Sequence, residues 1–183
     1  MTQTLEIPGY VTGTWTIDPA HSEVAFTVRH LMMTKVRGRF NRFSGTLVTA
    51  GNPLESQVAA EIDLTSIDTN NPQRDKDLRS AEFFETDRFP VMTYRSTSLE
   101  PGFVLRGDLT LKGVTAEVPL QLELNGFGQG RFGDTRAAFT ATGELSRKAF
   151  GVSFDLPLES GGVVVGDKVT LSLEIQAVLN KDS

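Results

Sequence analysis

Two histidines, His21 and His30, are the chain's whole supply of imidazole. They are therefore its candidates for acid–base chemistry near neutral pH or for metal binding. They stand nine positions apart, an odd number, so on one regular strand they face opposite sides. A metal site needs both of them and convergent carboxylates, which no motif spacing supplies. Hydrogen bonding at strand ends is the reading adopted, and no metal is expected. The stretch Arg74-Asp75-Lys76-Asp77-Leu78-Arg79 mixes charges at helical spacing, with Arg74 and Leu78 on one face and Asp75 in reach of Arg79. It reads either as a solvated helix with local ion pairs or as a polar collar at a mouth. Asp75-Lys76-Asp77 lacks the continuation of a calcium loop.

Gly128-Gln129-Gly130-Arg131-Phe132-Gly133 matches the dinucleotide fingerprint letter for letter. That chemistry needs the turn to open a helix, whereas the segment that follows, 136–145, has the period of a strand. A glycine-rich hairpin loop is the consequence, and no nucleotide site. The chain has no cysteine, which excludes disulfides, thiolate chemistry and Cys-ligated metals. No G-x-S-x-G is present. No catalytic residue is assigned, and the chain is expected not to be an enzyme.

The elements that must carry these residues have a period of two. Val114, Ala116, Val118, Leu120, Leu122 and Leu124 alternate with polar residues, which predicts a single strand over 114–125 with one dry face. Val169, Leu171, Leu173, Ile175, Ala177 and Leu179 repeat the pattern, as do Val24, Phe26 and Val28, and Val58, Ala60, Ile62 and Leu64. Ala137, Phe139, Ala141 and Leu145 form a further dry face. Segment 36–48 changes parity between Phe40 and Phe43, which predicts a bulge near Asn41-Arg42. With weaker runs at 11–17, 91–99 and 103–111, nine strand segments result. One short helix is predicted over 72–84, with Asn71 as N-cap and Pro72 at its first position. No helices alternate with the strands, so the fold is all-β and antiparallel. A barrel buries the dry faces and removes exposed edges; a sandwich is the rival. The bend in 36–48 favours the barrel.

At 183 residues the chain suits one domain, 1–183, with 1–12 as a poorly ordered or extended arm. A net charge of −5 offers no footprint for nucleic acid. No apolar run exceeds three residues, as in Val163-Val164-Val165, so no transmembrane helix is expected. The segment 1–13 has no basic region followed by an apolar stretch, so a soluble, cytoplasmic protein is expected. Two apolar pairs, Met32-Met33 and Phe83-Phe84, fall outside the alternation. They either cap the core or line an entrance.

These residues resemble the YceI-like family, the polyisoprenoid-binding proteins with a lipocalin-like barrel. The resemblance is carried by Ile17-Asp18-Pro19-Ala20-His21-Ser22-Glu23-Val24-Ala25-Phe26-Thr27-Val28-Arg29-His30 and by Val36-Arg37-Gly38-Arg39-Phe40. Further blocks are Ser66-Ile67-Asp68-Thr69, Arg74-Asp75, Leu78-Arg79-Ser80, Phe83-Phe84 and Gly107-Asp108-Leu109-Thr110-Leu111-Lys112-Gly113-Val114-Thr115. Phe150-Gly151-Val152 and Val165-Gly166-Asp167-Lys168-Val169 complete the set, which spans 15–178. Asp77 stands where members often carry a histidine.

The resemblance implies an eight-stranded antiparallel barrel, so one of the nine segments extends another or lies outside the closure. It also implies an isoprenoid (polyprenyl or quinone-like) or other amphiphilic lipid, bound, transported or stored inside, and often a homodimer. The inward residues that would line the tube are Trp15, Phe26, Val28, Phe40, Ile62 and Leu109, with Leu111, Leu122, Phe139, Leu171 and Leu173. Candidate mouth or head-group residues are His21, His30, Met32, Met33, Arg74, Asp75, Asp77, Phe83 and Phe84. No cofactor is expected beyond the bound lipid. Two other readings stay open on the pattern alone. One is a barrel enzyme on an apolar substrate, using His21, His30, Asp75 or Asp77. The other is a solid barrel serving as an interaction module.

Overall fold

The computed structural model describes residues 7–30, 33–152 and 165–181. The strands are β1 (Gly13–Ile17), β2 (Glu23–His30), β3 (Thr34–Phe40), β4 (Phe43–Thr49), β5 (Gln57–Asp63) and β6 (Ile67–Asp68). After helix α1 (Pro72–Arg79) come β7 (Val91–Glu100), β8 (Val104–Leu111), β9 (Val114–Glu117), β10 (Leu120–Gln129), β11 (Thr135–Ser146) and β12 (Val165–Leu179). Pairing runs β1-β4-β5-β7-β8-β10-β11-β12, and β12 returns to β1. The ring is a closed antiparallel barrel of eight strands, and closure leaves it without exposed edges.

β2 and β3 extend two of these rungs towards one end. β1 and β2 are separated by a 3₁₀ turn at Pro19–His21, and β3 and β4 by the two residues Asn41 and Arg42. The predicted change of facing falls at that second break, where Ser66 crosses over the chain. Its carbonyl accepts from the Asn41 amide at 3.2 Å and its hydroxyl from the Arg42 amide at 3.0 Å. Among the described residues, β3 beyond the break has only the two-residue β6 on its far side, paired at Arg39 and Phe40. At this end the wall is completed by α1 and the chain leading to β7.

The helix is shorter than 72–84. Asn71 caps it as expected, its side chain accepting from the Arg74 amide at 3.0 Å. It stops at Arg79 because Ser80 turns extended and its amide bonds back to Asp77. Phe84 and Thr86 then close onto the Leu78 and Arg79 carbonyls. The single strand over 114–125 is β9 and β10, split at Val118-Pro119. Proline has no N–H for the ladder, yet the register on β8 is kept, Glu117 facing Asp108 and Leu120 facing Leu105. The glycine-rich 128–133 stretch lies in the β10–β11 hairpin, where Gly130 N donates to Asp134 O at 2.7 Å.

Two packed regions fill most of the interior. The larger is built on Ile62, Leu64, Tyr94, Leu105, Leu109 and Leu120. The smaller closes the far end, with Trp15, Ala137 and Ala177 fully or almost fully buried and Phe127 against them. Val11 joins it, and the Tyr10 ring stands edge-on to Phe127 at 5.6 Å. Close packing also explains two inward glycines. A Cβ at Gly38 would sit 2.3 Å from the Phe26 ring, and one at Gly107 would sit 2.4 Å from Tyr94. Each aromatic lies over backbone where a side chain is missing.

An ion pair fixes the closed end. Asp18 Oδ2 accepts from Arg136 Nη1 at 2.8 Å and lies 2.8 Å from His21 Nδ1. The Arg136 guanidinium first, and His21 second, hold the Asp18 carboxyl down at about 2 against 3.8 for the free side chain. The fold is thus stabilised above the unfolded value and loses that stability as pH falls through about 2. Asp18→Asn is expected to lower the unfolding free energy by about 1–2 kcal/mol near neutral pH, after allowance for partial solvent screening. In urea titrations the difference should vanish near pH ~2; a constant difference across pH contradicts the linkage.

Candidate ligand-binding site

At the end opposite the Trp15 plug the barrel is hollow. The cavity there has a volume of about 560 Å³, within the range of small-molecule sites. Strand alternation aims Phe26 and Val28 of β2, Val36 and Phe40 of β3, Leu111 of β8, and Val169 and Leu171 of β12 at it. Its lip is the chain from α1 onwards, with Leu78, Phe83 and Phe84. Phe40 ties the lip to the wall. Its ring lies 5.5 Å from Phe26 and 6.3 Å, edge to face, from Phe84, contacts of the kind that favour aromatic pairs.

Of the expected tube lining, Phe26, Val28, Phe40, Leu111 and Leu171 face the cavity. Ile62 and Leu109 are buried in the packed middle, and Leu122 and Leu173 pack against it. Trp15 plugs the far end. Phe139 is half-buried between Leu124 and Ile175 on neighbouring strands. The interior is a pocket at one end and not a continuous tube, because large side chains meet across the middle.

The mouth candidates divide in the same way. His30, Arg74, Asp77, Phe83 and Phe84 line the cavity. His21 is at the other end beside Asp18, and Met33 is 80% exposed on the β2–β3 turn. Met32 lies outside the described residues. Asp75 is buried away from the cavity and does not pair with Arg79; its Oδ1 accepts from the Thr69 amide at 2.9 Å and from the Thr69 hydroxyl. Arg74 binds the same threonine, Nε to Oγ1 at 2.8 Å and Nη2 to the carbonyl at 2.6 Å. The charged cluster of α1 is thus neither a merely solvated face nor wholly a collar, since two of its members anchor the helix to the barrel. Asp75→Ala strands two donors on Thr69, at a cost of about 1–3 kcal/mol. Amide exchange at Thr69 and along α1 should accelerate; unchanged exchange there contradicts the anchoring role.

The sequence reading missed Arg29, Thr69, Ser80, Glu82, Met92, Leu145, Arg147 and Val152, all of which line the cavity. Arg147 is 6% exposed and donates to the carbonyls of Gly166, Val152 and Val165 at 2.8–2.9 Å. It acts as a buried cross-link between chain segments. Arg147 therefore faces the cavity with its donors engaged, whereas Arg74 keeps Nη1 open. Asp77 accepts one bond, from Gln73 Nε2 at 3.1 Å. Glu82 and His30 have no side-chain hydrogen bond or ion pair among the described residues. Among those residues no three histidine or acidic side chains converge as a metal site.

A closed antiparallel barrel, plugged at one end and hollow at the other, is the lipocalin-like class of architecture. The chain belongs to the YceI-like family: the YceI-like domain matches residues 15–177. UPF0312 proteins of Staphylococcus aureus are 36% identical over 157 residues, covering 85% of this chain and 91% of theirs. Among solved structures, Burkholderia cenocepacia BcnA superposes with a TM-score of 0.71 at 20% identity, over 87% of this chain and 98% of that one. A Campylobacter jejuni YceI protein gives 0.70 at 24%, over 84% and 90%. A polyisoprenoid binding domain from Saccharophagus degradans, implicated in plant cell wall breakdown, gives 0.67 at 17%, over 93% and 100%. At these identities the likeness establishes the shared fold.

Proposed function

We propose that the chain binds an isoprenoid or similar amphiphilic lipid without chemically changing it. The observation that carries this reading is the apolar cavity of about 560 Å³ beneath α1. A polyisoprenoid binding domain with the same fold supports the ligand class. At roughly 30 Å³ per water-sized group the cavity takes about 15–20 carbons, or three to four isoprene units. Burying ten methylenes yields about 8 kcal/mol before association costs. A longer chain leaves part of its length outside, so the cavity grips one end of the molecule.

The rim favours one kind of head group. Arg147 is spent on backbone carbonyls, but Arg74 keeps its Nη1 donors and Arg29 has no acidic partner among the described residues, while Glu82 and one oxygen of Asp77 are open acceptors. A hydroxyl, which both donates and accepts, fits such a rim. Titration with farnesol and its methyl ether tests both parts. Tighter binding of the alcohol is expected; equal or tighter binding of the ether, which has no O–H to give, refutes the head-group assignment, and failure of both refutes the cavity reading.

A further inference from the structure

In a chain of net charge −5, one face beside the mouth is cationic. Arg29 of β2 stands directly opposite Lys35 of β3, and Arg37 follows two residues along β3. All three are exposed, and none has an acidic partner among the described residues. Like charges directly opposite on neighbouring strands are destabilising, so the Arg29–Lys35 pair works against the fold. Guarding an edge that no described strand covers explains cations on β3. It does not explain Arg29, which lies on β2 between β12 and β3. The turn joining the two strands presents Met33 at 80% exposure, and Arg29 itself lines the cavity with the adjoining His30 and Val36. Cations without an acidic partner among the described residues, the exposed Met33 and the mouth thus share one corner of the barrel.

We propose that the β2–β3 hairpin docks the barrel on anionic lipid bilayers, with Arg29, Lys35 and Arg37 on the head groups and Met33 at the interface. A lipid carrier has to exchange its cargo with such a surface, and that use of the contact rests on the ligand reading above. The contact itself does not, and it is measured on protein with an empty barrel.

Sedimentation with vesicles of equal parts phosphatidylcholine and phosphatidylglycerol tests it. Binding is expected to these vesicles and not to pure phosphatidylcholine, to weaken about fivefold for each cation removed, and to fall with added salt. Lys35→Glu separates docking from folding, because it creates an opposite-charge pair with Arg29. Vesicle binding should drop while the thermal midpoint rises. Met33→Ser should also weaken binding with the salt dependence kept. Equal binding to neutral vesicles, or undiminished binding by the Arg29→Glu, Lys35→Glu, Arg37→Glu triple variant, overturns the proposal. Stronger retention on polyglutamate than on anionic vesicles overturns it too, assigning the patch to an acidic protein. Farnesol uptake by the Lys35→Glu and Arg37→Glu variants, whose residues do not line the cavity, keeps the two readings apart: docking lost with uptake intact leaves the cavity reading standing.

Discussion

The Val28→Trp variant, alone or with Val169→Trp, is expected to bind isoprenoid at least about a hundredfold more weakly than the parent while keeping its fold. Val28 and Val169 face one another on β2 and β12 and both line the cavity. An indole at either position occupies space a ligand would take. Excluding about four methylenes at about 0.8 kcal/mol each removes roughly 3 kcal/mol of binding, or two orders of magnitude in Kd. Overpacking a filled core commonly costs about 1–3 kcal/mol, but here the added ring enters vacant volume. The thermal midpoint should therefore stay the same or rise. Isothermal titration and a thermal melt on the same preparation check both halves. Unimpaired binding places the ligand elsewhere; unfolding of the variant shows that the space is not available to a side chain.

The second large effect is on the fold. Trp15→Ala is expected to destabilise the protein by about 3–5 kcal/mol, a large part of the 5–15 kcal/mol typical of a whole domain. Trp15 is fully buried, with Leu47 of β4 on one flank and Leu179 of β12 on the other, where the ring of strands closes. Its Nε1 donates to Thr49 Oγ1 at 2.8 Å, and that hydroxyl donates to the Val11 carbonyl at 2.7 Å. Phe127 meets the indole edge-on at 5.7 Å. Trp15→Phe keeps most of the packing, loses the hydrogen bond and should cost about 1–2 kcal/mol. Urea unfolding followed by far-ultraviolet circular dichroism reads both variants. Neither belongs to the cavity, so Trp15→Phe should bind lipid like the parent. A near-neutral Trp15→Ala contradicts the closure role.

The contrast between these sites shows what could be read before the structure. Phe26, Val28 and Leu171 were legible because a strand's period fixes which side chains point inwards, and a barrel has one inside. Trp15 obeys the same parity, yet parity cannot say which part of the inside is full. The plug depends on Phe127, which turns inwards because the β10–β11 register shifts between Leu124 and Gly126. That irregularity leaves no periodic signal. Thr69 and Arg147 were hidden for a related reason: both sit in connections, where neither period applies; side chains of α1 hold Thr69, and the carbonyls of Val152, Val165 and Gly166 hold Arg147. The anchoring of α1 by Asp75 competes with the helix-surface pair to Arg79 that spacing suggested, and a buried threonine with two donors wins. The residues of the resemblance fared differently. They marked the family and the barrel, and left open how much of it is hollow.

The central claim is that the pocket beneath α1 holds an apolar ligand, and native mass spectrometry of the purified protein beside its Val28→Trp variant tests it most directly. Both samples are incubated with farnesol, desalted and sprayed under identical conditions. A one-to-one adduct on the parent, absent from a folded Val28→Trp variant, is the predicted result. The same adduct on both proteins, or none on the parent at saturating farnesol, contradicts it.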